Sequence, residues 1–149
     1  MKILFLNGPN LNLLGTREPG VYGKLTLVEI ETRVRERAME SGIEIDFRQT
    51  NVEGELVSWV QEARGNANGI IINAGGYTHT SVAVLDALQA VGLPVIEVHL
   101  SNIFRRDQFR QHSYISLAAT GVICGLGGKG YELAIEAMTD ILSKAGNKA

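Results

Sequence analysis

The chain is poor in the features that mark several large protein classes. It holds one cysteine, Cys124, so no disulfide framework can form within it, and a reducing compartment is expected. No apolar run approaches the ~18 residues of a membrane span. The N-terminus enters a strand-like run at once, without the charged, apolar and small-residue regions of a secretory leader. A cytoplasmic protein without membrane contact is the expectation. Charge is also sparse and mixed, with a formal net charge of -2 and no block of like charges. No basic stripe is available for nucleic acid. The one local excess, Arg105, Arg106 and Arg110, is interrupted by Asp107 and suits a small anion better than a duplex. The three histidines, His79, His99 and His112, are far apart and no cysteine cluster accompanies them, so no metal site is expected. Cys124 lies in an apolar, strand-like run, which argues against a nucleophilic thiol.

Five short apolar runs alternate with helical patterns along the 149 residues. The runs are Ile3–Leu6, Ile43–Phe47, Gly69–Ile72, Val95–Val98 and Gly121–Ile123, and their lack of polar alternation predicts strands covered on both faces. Helices are expected over Thr26–Ser41, opened by a Thr26/Glu29 capping box and closed by Gly42, and over Glu53–Arg64, Ser81–Val91 and Tyr131–Ser143. A shorter helix is expected over Ile103–Gln111, and Lys144–Ala149 is expected to fray. Strand–helix alternation predicts an α/β three-layer sandwich: one domain over residues 1–149 with a five-stranded parallel sheet. The flavodoxin-like order 2-1-3-4-5 is the first choice, which puts the site at the carboxyl ends of strands 1, 3 and 4.

Those three ends are rich in polar groups. The first opens into Asn7–Gly23, a long loop with four Gly, two Pro, Arg17 and Tyr22. A loop of that length in a compact domain has a function or is disordered. Its beginning, at Asn10, reads as fixed floor, and the part from Gly15 to Gly23 as a mobile lid. The third and fourth strands end in Asn73-Ala74-Gly75-Gly76-Tyr77-Thr78-His79 and Glu97-Val98-His99-Leu100-Ser101-Asn102. Glu97 and His99 share a strand face, where a carboxylate can hold an imidazole's tautomer and favour its acid form. Arg17 can lower the pKa of Tyr22 towards that of a general base, although taken alone Tyr22 reads better as packing. Ser101 with Arg110 suggests a carboxylate clamp at a helix start, although Ser101 alone reads as an N-cap. His79 reads as another cap and Asp86 as a solvated helical acid. Gly125-Leu126-Gly127-Gly128-Lys129-Gly130 matches a dinucleotide fingerprint, but no following strand with an acidic residue remains. A tight turn with close helix–sheet packing is the expectation there.

Five stretches together carry a family resemblance: Asn7–Gly23, Asn73–Leu88, Pro94–Asn102, Phe109–Tyr114 and Gly125–Tyr131. They resemble type II 3-dehydroquinate dehydratases over nearly the whole domain, and the first stretch is long and highly specific. The resemblance implies anti elimination of water from 3-dehydroquinate through an enolate, in the shikimate pathway or in quinate breakdown, with neither metal nor organic cofactor. It implies Tyr22 as phenolate base, Arg17 keeping it anionic, and Asn10 holding a water at the enolate oxygen. His99, oriented by Glu97, would protonate the leaving hydroxyl. Asn73, His79, Leu100, Ser101 and Arg110 would bind substrate, and Asp86 would reach a neighbour's site within a homododecamer built as a tetramer of trimers. Two rival readings fit the residues less well. A flavin or nucleotide binder of the same fold would need a Ser/Thr/Gly-rich phosphate loop after strand 1, and a phospho-receiver would need clustered acids where Asn7 and Asn10 stand.

Overall fold

The computed structural model describes residues 1–16, 20 and 24–147. Arg17 and Tyr22 lie outside the described residues. The strands are β1 (Lys2–Asn7), β2 (Glu44–Gln49), β3 (Gly69–Asn73), β4 (Val95–His99) and β5 (Gly121–Cys124). The longer helices among the described residues are α1 (Leu27–Glu40), α2 (Glu53–Glu62), α3 (Val82–Val91) and α4 (Lys129–Gly146). All strands pair in parallel in the order β2-β1-β3-β4-β5, the flavodoxin-like order expected.

Strand alternation divides the interior into two layers. Ile3, Phe5, Ile71, Ile96 and Val98 face α1 and α4, meeting Ile30, Val34, Ala134 and Met138. Their neighbours Leu4, Leu6, Ile70, Ile72 and Val95 face α2 and α3, meeting Leu56, Val60, Val84 and Leu88. The three central strands are therefore buried on both faces, as a parallel sheet requires. The edge strands depart from the uniform burial expected: β2 and β5 are only half-buried because each lacks a neighbour on one side.

Local chemistry explains the ends of the elements. Thr26 Oγ1 accepts from Glu29 N at 3.2 Å, and Glu29 Oε2 accepts from Thr26 N at 3.4 Å, which completes the capping box that starts α1. Helix α3 is capped by Ser81, whose Oγ accepts from Val84 N, and Val82 on its first turn is exposed instead of packed. Helix α4 continues to Gly146, so Lys144 is helical and pairs with Asp140 at 2.7 Å where fraying was expected. The glycine run before α4 is a turn that allows close packing: a Cβ on Gly128 would stand 2.5 Å from Leu25 Cδ2, just before α1, and one on Gly130 would stand 3.3 Å from Ile123 Cγ2 of β5.

The helix expected over Ile103–Gln111 is replaced by two single 3-10 turns, Ile103–Arg105 and Gln108–Arg110. Arg106 is extended at φ -97°, ψ -170°, and Asp107 follows at ψ 145°, so the i→i+4 ladder cannot run through. Asn102, and not Ser101, caps the first turn through Oδ1 to Phe104 N at 3.2 Å.

Candidate active site

The carboxyl ends of β1, β3 and β4 open into one cleft of about 130 Å³. Asn10, Asn73, His79, His99, Leu100, Ser101 and Arg110 all line it, with Arg106, Ile103, Leu11 and Leu14. The cleft therefore lies where the switch-point rule expects it. Glu97 sits behind His99 instead of in the cleft wall. Asp86 is exposed on α3, away from the cleft of its own chain.

The floor is built from three buried groups that meet at the sheet edge. Asn7 and Asn73 are register partners on β1 and β3. The Tyr131 phenol, from the first turn of α4, donates to Asn7 Oδ1 at 2.6 Å and accepts from Asn73 Nδ2 at 3.0 Å. Asn7 Nδ2 then donates to the Arg48 carbonyl, and Asn73 Oδ1 accepts from Gly75 N. Both amide orientations are thus set by partners of fixed polarity. Burial pushes the Tyr131 hydroxyl far above the usual phenol range, against a smaller opposing effect of the Asn73 hydrogen bond. This tyrosine is a structural phenol. Sequence reading missed its role, because a tyrosine at a helix start beside a glycine turn carries no sign of two asparagines reached across the fold.

Just beyond this floor Asn10 adopts a left-handed conformation, φ 68°, the only non-glycine positive φ among the described residues. Its N–H donates to Asn51 Oδ1 at 3.0 Å, which anchors the loop start as expected. Gly8 lets the loop cross β3 closely: its N–H donates to the Asn73 carbonyl at 2.8 Å. A Cβ there would lie 2.2 Å from the Ala74 carbonyl oxygen.

The titratable groups lie in the wall and directly behind it. Glu97 is fully buried and hydrogen-bonded to His99 Nε2. Ser113 Oγ reaches both of its oxygens, at 3.0 and 2.9 Å, and Ser116 Oγ donates to Oε1 at 2.6 Å. Burial pushes the Glu97 carboxyl up, but His99 and the hydroxyls of Ser116 and Ser113 together outweigh it and hold the group below its usual range. Glu97 is therefore a carboxylate at neutral pH, and His99 donates to it from Nε2. That leaves Nδ1 as the ring nitrogen for the cleft.

His79 is not a helix cap; it closes the 3-10 turn Gly75–His79. Its Nδ1 lies 2.6 Å from the His112 carbonyl, which can only accept, so Nδ1 carries the proton. Desolvation lowers the His79 pKa, opposed by that same hydrogen bond, so its ring is neutral with Nε2 as an acceptor. Arg110 stacks over Phe109 at 4.9 Å. Its buried Nε has no hydrogen-bond partner, since Asp107 Oδ2 stands 3.7 Å away, beyond hydrogen-bonding reach. An unsatisfied guanidinium N–H at a cleft wall is a ready donor for an anion.

A model of the family described as dehydroquinase class II matches residues 1–139. The chain belongs to this family. It is 59% identical over 134 residues to 3-dehydroquinate dehydratase 2 of Pseudomonas aeruginosa, covering 90% of each chain. The crystal structure of type II dehydroquinase from Butyrivibrio crossotus matches with a TM-score of 0.92 at 42% identity, over 93% of this chain and 97% of that one. The type II dehydroquinase from Propionibacterium acnes matches with a TM-score of 0.88, also at 42% identity, over 95% and 96% of the two chains. A dehydroquinase with this fold accounts for a cleft that pairs a histidine–carboxylate couple with an anion-seeking arginine. No group of three or more His, Cys, Asp or Glu able to hold a metal ion occurs among the described residues. None of their helices is long and apolar enough to cross a membrane.

Proposed function

We propose that the chain, acting as a single catalytic domain, converts 3-dehydroquinate to 3-dehydroshikimate and water. The observation that carries this reading is the juxtaposition, in a class II dehydroquinase, of the buried Glu97–His99 couple with Arg110, whose Nε lacks a hydrogen-bond partner, across one small cleft. The substrate is a small polyhydroxylated carboxylate with a ketone. Arg110 and the Ser101 hydroxyl, with the Leu100 and Ser101 backbone, take its carboxylate. Asn73 and the bare Nε2 of His79 take its hydroxyls.

The elimination is anti and proceeds through an enolate. Tyr22, as phenolate, removes the proton next to the ketone, and Arg17 serves to keep the phenol ionised. Asn10 holds a water against the enolate oxygen, where charge develops. The enolate then collapses, the carbon–oxygen bond of the hydroxyl breaks, and protonated His99 delivers its Nδ1 proton to the departing oxygen. Glu97 stabilises the imidazolium before that transfer and keeps the Nε2–H tautomer after it. The proton next to a ketone is acidic enough for a tyrosinate, so neither metal nor organic cofactor is required. The working form is a homododecamer, a tetramer of trimers in the cytoplasm, in which the exposed Asp86 serves the substrate site of a neighbour.

Purified protein mixed with 3-dehydroquinate is expected to give rising enone absorbance, unaffected by chelator or borohydride. A folded preparation that leaves the absorbance flat refutes the reading. Tyr22→Phe should retain substrate binding and lose most turnover, and a fully active Tyr22→Phe overturns the base assignment.

A further inference from the structure

One short segment holds one cleft histidine directly and the other through Glu97. The stretch from His112 to Ser116 offers the His112 carbonyl to His79 Nδ1, and the Ser113 and Ser116 hydroxyls to Glu97. It is itself firmly tied. Tyr114 N donates to the Thr78 carbonyl at 2.9 Å, one residue before His79. Ser116 N donates to Ser113 Oγ at 3.1 Å, so that oxygen accepts from the backbone while its hydrogen is shared between the two Glu97 oxygens. Ile115, between the serines, is fully buried against the α2–α3 layer.

We propose that His112–Ser116 is a positioning brace that locks the two cleft histidines in opposite tautomers, His79 as Nδ1–H and His99, through Glu97, as Nε2–H. The segment donates nothing to substrate. Its hydroxyls fill the Glu97 sites that His99 leaves free, so the carboxylate can only be satisfied completely with His99 in one ring orientation. Without them the buried carboxylate would bind its proton more tightly, and the proton between Glu97 and His99 would be shared less definitely. The charged and titratable groups around the couple are His79, which is electrostatically coupled to Glu97 and His99, and Arg110 and Arg106, which line the same cleft. This brace rests on the proposed reaction only where its effect is read as catalysis.

The test combines nitrogen-15 histidine spectra of the free protein across pH with steady-state kinetics on 3-dehydroquinate. In the unmodified protein His79 should show Nδ1–H and His99 Nε2–H. In Ser113→Ala/Ser116→Ala the His99 signal should lose its single-tautomer pattern, and the joint titration of the Glu97–His99 couple should move to higher pH. His79, held by a backbone carbonyl, should stay unchanged as an internal reference. The kcat should fall about tenfold, the scale of one hydrogen bond to a charged group, with KM within about twofold. Ser116→Thr keeps the hydroxyl on an exposed turn and should restore both readouts. Should the double variant not fold, Ser116→Ala carries the same spectral reading. A His99 tautomer and titration that superimpose on the unmodified protein overturn the brace, as does His79 found as Nε2–H. If the unmodified protein does not turn over 3-dehydroquinate, the proposed reaction fails while the spectra still decide the brace.

Discussion

Replacing Tyr131 by Phe removes one oxygen atom and no carbon, so it isolates the polar part of the floor. The ring is 1% exposed and stacks on Phe5 at 6.1 Å, contacts that phenylalanine retains. The loss is the bond to Asn7 Oδ1 at 2.6 Å and the bond from Asn73 Nδ2 at 3.0 Å. Each asparagine keeps its other partner, the Arg48 carbonyl or Gly75 N, so one buried acceptor and one buried N–H are orphaned. An orphaned buried polar group costs about 1–3 kcal/mol, and the pair is expected to cost about 3 kcal/mol. For a domain of this size that lowers the thermal midpoint by roughly 6–12 °C. The asparagine amides keep the partners that fix their polarity but lose the phenol that ties them to each other, so KM should rise severalfold while kcat changes less. Differential scanning calorimetry and initial rates measure both. A midpoint within about 1 °C of the unmodified protein, where a loss of about 3 kcal/mol demands several degrees, would show that the network does not hold the floor.

Arg110→Ala should raise KM about a hundredfold, the scale of an unpaired substrate carboxylate, and Arg110→Lys should recover little because a point cation cannot reproduce the guanidinium fork. Unchanged KM would remove Arg110 from the clamp. Gly8→Ala forces a Cβ to 2.2 Å from the Ala74 carbonyl oxygen, which is backbone and cannot rotate away. A loss of about 3 kcal/mol or more is expected in denaturant titration, and a neutral result would refute the close approach. Stability should also fall with acid. His79 and Glu97 both have folded-state pKa values below their ordinary ones, so each contributes stability above its unfolded value and loses it as pH falls towards the folded value. The decline should begin near pH 6.5 for His79 and steepen near pH 4 for Glu97. His79→Gln should flatten its first part, and an unaltered profile would contradict the assignment.

The sheet order and the cleft were legible in the sequence because both follow from strand periodicity and the switch-point rule. Asn10, Asn73, His79, His99, Ser101 and Arg110 reach one cleft because each follows a strand end or a turn tied to one. The Ile103–Gln111 segment was misread since its residues tolerate a helix, while the extended backbone at Arg106 breaks it. Tyr131, Ser113 and Ser116 were invisible as supporting residues for a different reason. Their partners lie far along the chain, 124 residues away in the case of Tyr131 and Asn7, and periodicity reports only on neighbours. Asp86 was legible only through the family resemblance, because within one chain it is an exposed helical acid like any other.

The two histidines of the cleft show why the supporting shell matters as much as the residues that touch substrate. They are the same side chain in the same cleft, yet each is held by a different kind of acceptor. A backbone carbonyl is neutral, so it fixes the His79 tautomer while favouring an imidazolium by less than desolvation disfavours it, and that ring stays neutral. A carboxylate is charged, so it fixes the His99 tautomer and also stabilises the protonated form that a general acid must pass through. That second arrangement is sustainable only because Glu97 is itself solvated by hydroxyls in place of water. In the proposed reaction, substrate binding and proton delivery are therefore separated by the charge of the acceptor behind each ring, and exchanging those acceptors should exchange the roles. A Glu97→Gln variant makes the exchange in one direction: His99 loses the charge behind it and faces a neutral acceptor, as His79 does. Its turnover should fall by about 10²–10⁴ while binding persists. A Glu97→Gln protein that keeps full turnover would show that the charge behind His99 is not what makes it an acid.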